Sequence, residues 1–318
     1  MKLVLLGTSE FALRCADAML ESGNEICALI SMPACALPDN SADVSQFAQA
    51  HNIPYHEIED VNASHSISLI RGYAPDYLFV SWPRLLCRDV LEIPHLYCIG
   101  THPTDLPYNR GRHPLHWLIV LGIRHTKLTF FEMDTGVDAG KVLLQIPFEI
   151  MDRDTIGDAA VKMNQAAYIG TKMLCERLRE NPRYSGEEQD RSKGNSWRKR
   201  TPHDVTLDLR MSANLITRIV KSYAPPYPCA YLLFEKDAVR ISDAIIVEPD
   251  MAADDLKRLE HGRIIYADKN TITVKADDGV VTLIAKNAFP ETLLSARYIH
   301  PPSCYLLKWP GAFADWLG

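Results

Sequence analysis

The chain is 318 residues long, more than one ordinary domain of about 100–200 residues, so two domains are the first expectation. With 47% hydrophobic and 23% charged residues it has the make-up of a soluble globular protein, and its net charge of −6 argues against a surface built mainly to hold nucleic acid. The eight cysteines are scattered, with no C-x-x-C pair, and several lie inside apolar runs such as 96–99. They read as buried free thiols, and no metal site is expected. Residues 1–7 are a short apolar run without a signal-peptide h-region, and no stretch approaches the roughly 20 apolar residues of a membrane span. A cytoplasmic protein with no membrane partner is expected.

In chain order, residues 2–6 read as a buried strand and 7–10 as the turn after it. Residues 11–22 have helical periodicity, with Phe11, Cys15, Ala18 and Met19 on one face, and Gly23 ends the helix. A strand at 25–31, a short helix at 45–51 and strands at 77–80 and 96–101 follow. This β-α-β alternation implies a mostly parallel sheet covered by helices, with ligands outside the carboxyl ends of the strands. The turn Gly7-Thr8-Ser9-Glu10 lacks the second and third glycines of a dinucleotide fingerprint, so no NAD or FAD site is read there.

Strands at 128–131 and 142–149 and a long amphipathic helix at 155–178 come next. Residues 181–195, NPRYSGEEQDRSKGN, are polar and read as a linker or loop. Beyond the basic patch Trp197-Arg198-Lys199-Arg200, a helix at 213–222 precedes short β-rich runs at 230–234, 239–241, 262–267, 271–275 and 280–285. Turns such as Asp277-Asp278-Gly279 separate them, which suggests a small antiparallel barrel.

Two segments carry chemistry. The first, GTHPTDLPYNRGR at 100–112, follows a strand and is rich in polar groups and turn formers. The second, MDTGVDAG at 133–140, packs two glycines and two carboxylates into a tight loop that presents Asp138. An imidazole titrating near pH 6.5 with a carboxylate beside it is an acid/base pair. The same residue types also suit a hydrogen-bonded loop histidine and a turn former, and on residue types alone both readings stand.

The ordered run of motifs resembles the formyltransferases that use 10-formyltetrahydrofolate, a family that includes methionyl-tRNA, glycinamide ribonucleotide and sugar N-formyltransferases. The opening KLVLLGTSEFALRCADAMLESGNEICALIS, the segment GTHPTDLPYNRGRHPLHW, the loop MDTGVDAGKVLLQ, and SWRKRTPHD with PPYPCAYLLF are each similar to family motifs and cover nearly the whole chain. The resemblance implies an α/β fold: an N-terminal Rossmann-like, mostly parallel sheet with helices on both faces, and a small C-terminal antiparallel, OB-like barrel. It places the catalytic domain at 1–195 and the β-rich domain at 205–318. It implies that His102 stabilises the oxyanion formed when an amine attacks the formyl carbon, and that Asp138 orients His102 and relays the amine proton. One oxyanion donor is worth roughly 10²–10³ in rate.

The sequence departs from the family at one point. The family's catalytic Asn stands two residues before the His, and that position is Gly100. Thr101, Thr104, Asn109 or an ordered water is expected to take the place of the amide. The other readings are a site working with His102 and Asp138 alone, and a protein that binds folate or nucleotide without transfer.

The resemblance further implies a pterin pocket from Arg84, Leu85 and Leu86 after one strand and from Thr135, Gly136 and Val137 in the Asp138 loop. Ser9, Thr104, Asn109, Arg110 and Arg112 are assigned to the acceptor, the arginines to phosphate or carboxylate. The loop at 31–40 has no Lys or Arg where the tRNA enzyme is long and basic, so a nucleotide-linked amino-dideoxy sugar is expected as acceptor, in O-antigen or related glycan assembly. Methionyl-tRNA is the rival acceptor. A homodimer is expected, as among sugar-modifying relatives.

Overall fold

The computed structural model describes residues 1–37, 41–190 and 192–306. Through Trp197 the chain runs β1 (Lys2–Gly7), α1 (Glu10–Glu21), β2 (Glu25–Ser31), α2 (Val44–Ala50), β3 (Tyr55–Glu57), α3 (Ser64–Gly72), β4 (Tyr77–Ser81), α4 (Arg88–Leu91), β5 (Tyr97–His102) and the short β6 (Arg110–Gly111). There follow α5 (Pro114–Leu121), β7 (His125–Glu132), β8 (Val142–Glu149), α6 (Ile156–Glu180) and the short β9 (Ser196–Trp197). Beyond it lie α7 (Ala213–Lys221), β10 (Ala230–Phe234), β11 (Asp237–Val247), α8 (Ala253–Lys257), β12 (Ile264–Ala267), β13 (Thr271–Lys275), β14 (Val280–Ala285) and α9 (Glu291–Leu294).

The chain forms two compact units that do not follow chain order. One is Met1–Pro114, His125–Ile150 and Ala159–Arg198; the other is Leu115–Arg124, Met151–Asp158 and Lys199–Gly318. The first holds a seven-stranded sheet in the order β3-β2-β1-β4-β5-β7-β8. Its pairs from β3 to β5 are parallel, and β5-β7 and β7-β8 are antiparallel. All residues of β1 after Lys2 are buried, the near-continuous apolar run expected of a strand covered on both faces. Helix α1 buries Phe11, Ala12, Cys15, Ala16, Ala18 and Met19. Gly23 follows it at φ 71, the left-handed residue with which many helices stop.

The second unit holds a five-stranded antiparallel, barrel-like sheet in the order β10-β11-β14-β13-β12. Its core gathers Ile216, Ile219 and Val220 of α7 with Leu232, Ile241, Ile272, Val274, Val281 and Leu283 from the strands. The Ser212 side chain accepts the Leu215 N–H at 3.2 Å and caps α7.

The α/β character and the C-terminal antiparallel sheet are as the sequence predicts. Elements β3, α3, α4, β6, α5, β9, α8 and α9 are additions. In α3 only Ser66 and Ile70 are buried, too few to make an apolar stripe. Helix α5, PLHWLIVL, is apolar at nearly every position and so has no stripe either. Strand β11 runs over eleven residues where a short run at 239–241 was expected; its outer half exposes Ile245 and Ile246 and breaks the alternation. Among the cysteines, Cys35 and Cys304 are exposed and Cys87 is half-buried, so the expectation of buried thiols holds for the other five. Residues 38–40 of the loop read as lacking Lys and Arg, and residues 307–318 of the expected C-terminal domain, lie outside the described residues. Among the described residues no helix is long and apolar enough to cross a membrane.

Candidate active site

His102 is the last residue of β5, at the carboxyl end of the sheet, where α/β folds place their ligands. The chain then turns back on itself. The Thr104 hydroxyl donates to the Tyr108 carbonyl at 2.8 Å and the Asn109 carbonyl at 3.3 Å. The floor is tied from the hairpin below. The Thr129 hydroxyl donates to the Thr104 carbonyl at 2.6 Å, and the Gln145 amide donates to Leu106 O at 3.1 Å and to Thr129 Oγ1 at 3.0 Å. This fold-back carries the Asn109 carbonyl to 2.8 Å from His102 Nε2, which donates to it.

The other ring nitrogen, Nδ1, faces Asp138 Oδ2 at 3.6 Å. Asp138 comes from the loop between β7 and β8. There Asp134 Oδ1 accepts the Gly136 N–H at 2.8 Å, a short Asx turn. Gly140 lies so close to the Glu132 carbonyl that a Cβ would stand 1.6 Å from it, which is why this position takes glycine. Asp138 has φ 50, a left-handed conformation that Asp tolerates better than most residues. Its Oδ2 also accepts the Gly111 N–H at 2.9 Å, so one carboxylate oxygen joins the histidine to the loop that follows it.

Both ring nitrogens of a 4%-exposed histidine therefore face oxygen acceptors. The arrangement can hold and move a proton at Nδ1 while Nε2 fixes the ring. The neighbouring Cys98 thiol on β5 is no nucleophile, because burial pushes it up to about 12 and keeps it protonated.

Gly100 explains itself sterically. A Cβ there would meet Met133 Cγ and Phe131 Cζ, each at 2.8 Å. The volume beside the glycine is thus filled by Met133 and Phe131, and an asparagine amide cannot enter without moving them. Of the side chains expected to replace that amide, Thr104 is ruled out: it is fully buried and its hydroxyl is already donated. It shapes the loop and does not reach an acceptor. Thr101 alternates with Gly100 and His102 along the strand and so points to the other face. Asn109 remains, with its side-chain amide unbonded among the described residues.

Arg110 also departs from expectation. Its Nε and Nη2 donate to Gln189 Oε1 at 3.3 and 2.8 Å, so its guanidinium serves the inside of the site. Arg112 is exposed, with Nη1 donating to the Pro83 carbonyl at 3.3 Å. That bond joins the 110–112 loop to the segment after β4. In that segment Arg84 is exposed and donates to the Glu59 carbonyl at 2.9 Å, Leu85 is 71% exposed, and Leu86 is half-buried against the core. Val137, 52% exposed, and the exposed Thr135 and Gly136 lie in the Asp138 loop. Ser9 stands at the start of α1 with no side-chain capping bond.

The polar stretch at 181–195 is part of this site. Glu187 and Val142 exchange backbone hydrogen bonds at 2.8 and 2.9 Å, and Asn195 accepts the N–H groups of Asn109 and Arg110 through its side chain and carbonyl at 2.9 and 3.0 Å. Strand β9 then pairs with β6, and Arg112 N donates to Trp197 O at 3.1 Å. Sequence reasoning missed this strap because its side chains are those of a solvated loop. No signal in the stretch marks it, because Gln189, buried at 7% exposure, is one more polar residue in a polar run.

A buried histidine beside a carboxylate at the carboxyl end of a mostly parallel sheet stands where α/β enzymes put an acid/base pair. The chain matches the formyl transferase family over residues 1–176, more than half its length, and the formyl transferase C-terminal domain over 199–288. It belongs to the formyl transferase family and is a formyl-transferring enzyme. A methionyl-tRNA formyltransferase of Alkaliphilus oremlandii is 27% identical over 293 residues, 89% of this chain and 90% of that protein. The N-formyltransferase of Helicobacter canadensis, solved with folinic acid and dTDP-3-aminofucose, shares the fold at a TM-score of 0.63 with 14% identity, over 91% of this chain and all of that one. HypX of Aquifex aeolicus, solved with tetrahydrofolic acid, shares it at a TM-score of 0.64 with 15% identity over 89% of this chain, which spans only 43% of HypX.

Proposed function

We propose that the chain transfers a formyl group from 10-formyltetrahydrofolate to the amine of a nucleotide-linked amino-dideoxy sugar, as a step of O-antigen or related glycan assembly. The observation that carries this reading is the His102–Asp138 pair, 3.6 Å apart with both partners tethered to loops at the sheet's carboxyl end.

The residues present fit a folate ring. Trp82 is packed on the core with its indole N–H buried and unpartnered, a donor awaiting an acceptor, and Leu85 and Val137 present exposed apolar surface. Arg84, Leu85, Leu86 and the 135–137 turn would hold the folate. When bound, 10-formyltetrahydrofolate supplies the formyl carbon that the acceptor nitrogen takes, and its N10 takes up the proton that nitrogen gives up. His102 Nε2 is fixed on Asn109 O, and Nδ1 exchanges the proton with Asp138 Oδ2. Asn109, whose carbonyl orients the histidine, offers its side-chain amide to the formyl oxygen in place of the missing asparagine. Arg112 and Ser9 serve the acceptor, and the exposed Arg112 guanidinium suits a diphosphate. Residues 1–195 carry this chemistry, 205–318 form the β-rich domain, and two copies associate; a solution mass near 35.8 kDa by light scattering overturns the dimer.

Methionyl-tRNA is the second reading, favoured by the 27%-identical relative. The test is a formyl-transfer assay with 10-formyltetrahydrofolate and a panel of nucleotide-linked 3- and 4-amino-dideoxy sugars, followed by mass spectrometry. Gain of one formyl group with wild type, lost in His102→Ala, supports the sugar reading. Product only with methionyl-tRNA, with salt-dependent tRNA binding, replaces it. Folate binding with no product from any acceptor identifies a site that binds without transfer.

A further inference from the structure

Gln189 lies between the two stretches that match the family, outside both. Its amide uses its full hydrogen-bonding capacity. Nε2 donates one N–H to the Asp138 carbonyl at 2.9 Å and the other to the Gly140 carbonyl at 2.7 Å. Oε1 accepts from Arg110 Nε and Nη2 at 3.3 and 2.8 Å. A primary amide has two donors and one carbonyl with two lone pairs, so nothing is left over.

The bonds close a ring. From Gln189 the path runs through the Asp138 backbone to its Oδ2, across to Gly111 N, back one residue to Arg110, and through the guanidinium to Gln189. Asp138 is thereby held at both ends, its carbonyl by Gln189 and its carboxylate by Gly111. It needs holding, because a left-handed non-glycine residue persists only where its surroundings impose it. The 3.6 Å between His102 Nδ1 and Asp138 Oδ2 is already beyond hydrogen-bond length, so a small drift separates the pair.

We propose that Gln189 is a positioning residue of the transfer reaction: it locks the Asp138 turn to the 110–111 strand and so sets the distance and angle between Asp138 and His102. This rests on the reading that His102 and Asp138 carry the transfer. It assigns a role in turnover to a segment that touches neither substrate.

Two variants separate the halves of the clamp. Gln189→Glu keeps acceptors for Arg110 but has no N–H for the Asp138 and Gly140 carbonyls. Gln189→Met keeps the volume and loses both halves. Asp190→Ala, at the exposed neighbour that bonds Ser192, removes a side chain of the same segment that makes no bond to Asp138 or Arg110. Kinetics use 10-formyltetrahydrofolate with the amino sugar giving the fastest wild-type turnover, or water as acceptor where no sugar turns over. The expected result is a loss in kcat of about 10²-fold for both Gln189 variants, the scale of a misplacement near 1 Å, with KM for the folate within about threefold. The His102 imidazole ¹⁵N resonances of the free protein, a readout independent of any acceptor, move in both Gln189 variants and stay in place in Asp190→Ala. Unchanged His102 resonances and wild-type kcat in Gln189→Glu and Gln189→Met, alongside a dead His102→Ala, overturn the inference. Full activity in His102→Ala overturns instead the reading on which it rests.

Discussion

The two site loops taken together and the strap at 181–197 are alike in carrying Gly, Asn, Asp and Arg, though the strap adds serines and glutamates that the loops lack, and their roles differ. In the loops His102 and Asp138 face each other and Arg112 is exposed, while Thr104 and Arg110 bond within the protein. In the strap they look toward backbone: Gln189 meets two carbonyls and Asn195 meets an N–H. A turn needs somewhere for its main-chain donors and acceptors to go, and an active-site loop held open for ligands cannot supply all of them itself. The strap supplies them.

The sharpest way to break this contrast is at the chemistry. His102→Ala or Asp138→Asn is expected to lower kcat by about 10²–10⁴-fold with the melting temperature little changed, checked by turnover and calorimetry. Next comes the strap's own geometry. Gly194 has φ 92, and a Cβ there would stand 2.0 Å from the Pro107 carbonyl, so Gly194→Ala must displace the strap from the loop. It should cost at least about 1–3 kcal/mol in denaturant melts and reduce kcat as well. Gly23→Ala, also left-handed at φ 71 but with open space around it, should cost about 1 kcal/mol and leave kcat alone.

A smaller effect is expected at Gly100. Gly100→Asn places an amide where Met133 and Phe131 already lie and should destabilise by about 1–3 kcal/mol, with Gly100→Asn/Met133→Ala recovering most of it. If the double variant also exceeds wild-type kcat, the volume now filled by Met133 is an oxyanion site that can be restored. Smallest is a turn that looks after itself. Between β12 and β13, the N–H of Asn270 first, then the hydroxyl and N–H of Thr271, hold Asp268 down from 3.8 to about 2. A depressed carboxylate stabilises the fold above its unfolded value and loses that contribution as pH falls through its folded one. Melting temperatures between pH 2 and 5 should therefore fall less steeply in Asp268→Asn than in wild type, with turnover at pH 7 unaffected.

Legibility from sequence followed physics. Strands at 25–31, 142–149, 230–234, 271–275 and 280–285 coincide with β2, β8, β10, β13 and β14, because a buried or alternating run bounded by turn residues has one reading. The approach of His102 to Asp138 was legible only through the family resemblance, because on residue types alone a histidine and a carboxylate in glycine-bounded loops suit a loop histidine and a turn former equally well. Gln189 was not, since an amide in a polar run carries no mark of what it will bond. Thr104 and Arg110 look the same in sequence whether they meet a ligand or the protein itself: here the Thr104 hydroxyl donates to loop carbonyls and the Arg110 guanidinium to the Gln189 side chain. Gly100 was legible as an absence, whereas Met133 and Phe131, which fill the space, come from a neighbouring strand and the loop after it that no local pattern connects to it.

The pairing of β6 with β9 bears on how such an enzyme can be cut and recombined. A crossover placed at residue 176, where the N-terminal family match ends, would hand on His102 and Asp138 and discard Gln189, Asn195 and Trp197. The inherited fragment would keep that pair and lose the bonds that hold the Asp138 turn and the 109–112 loop, whereas a crossover after Trp197 keeps this architecture whole. On the proposed role of Gln189, a protease nick within 186–197 is expected to lower turnover while leaving His102 and Asp138 in place.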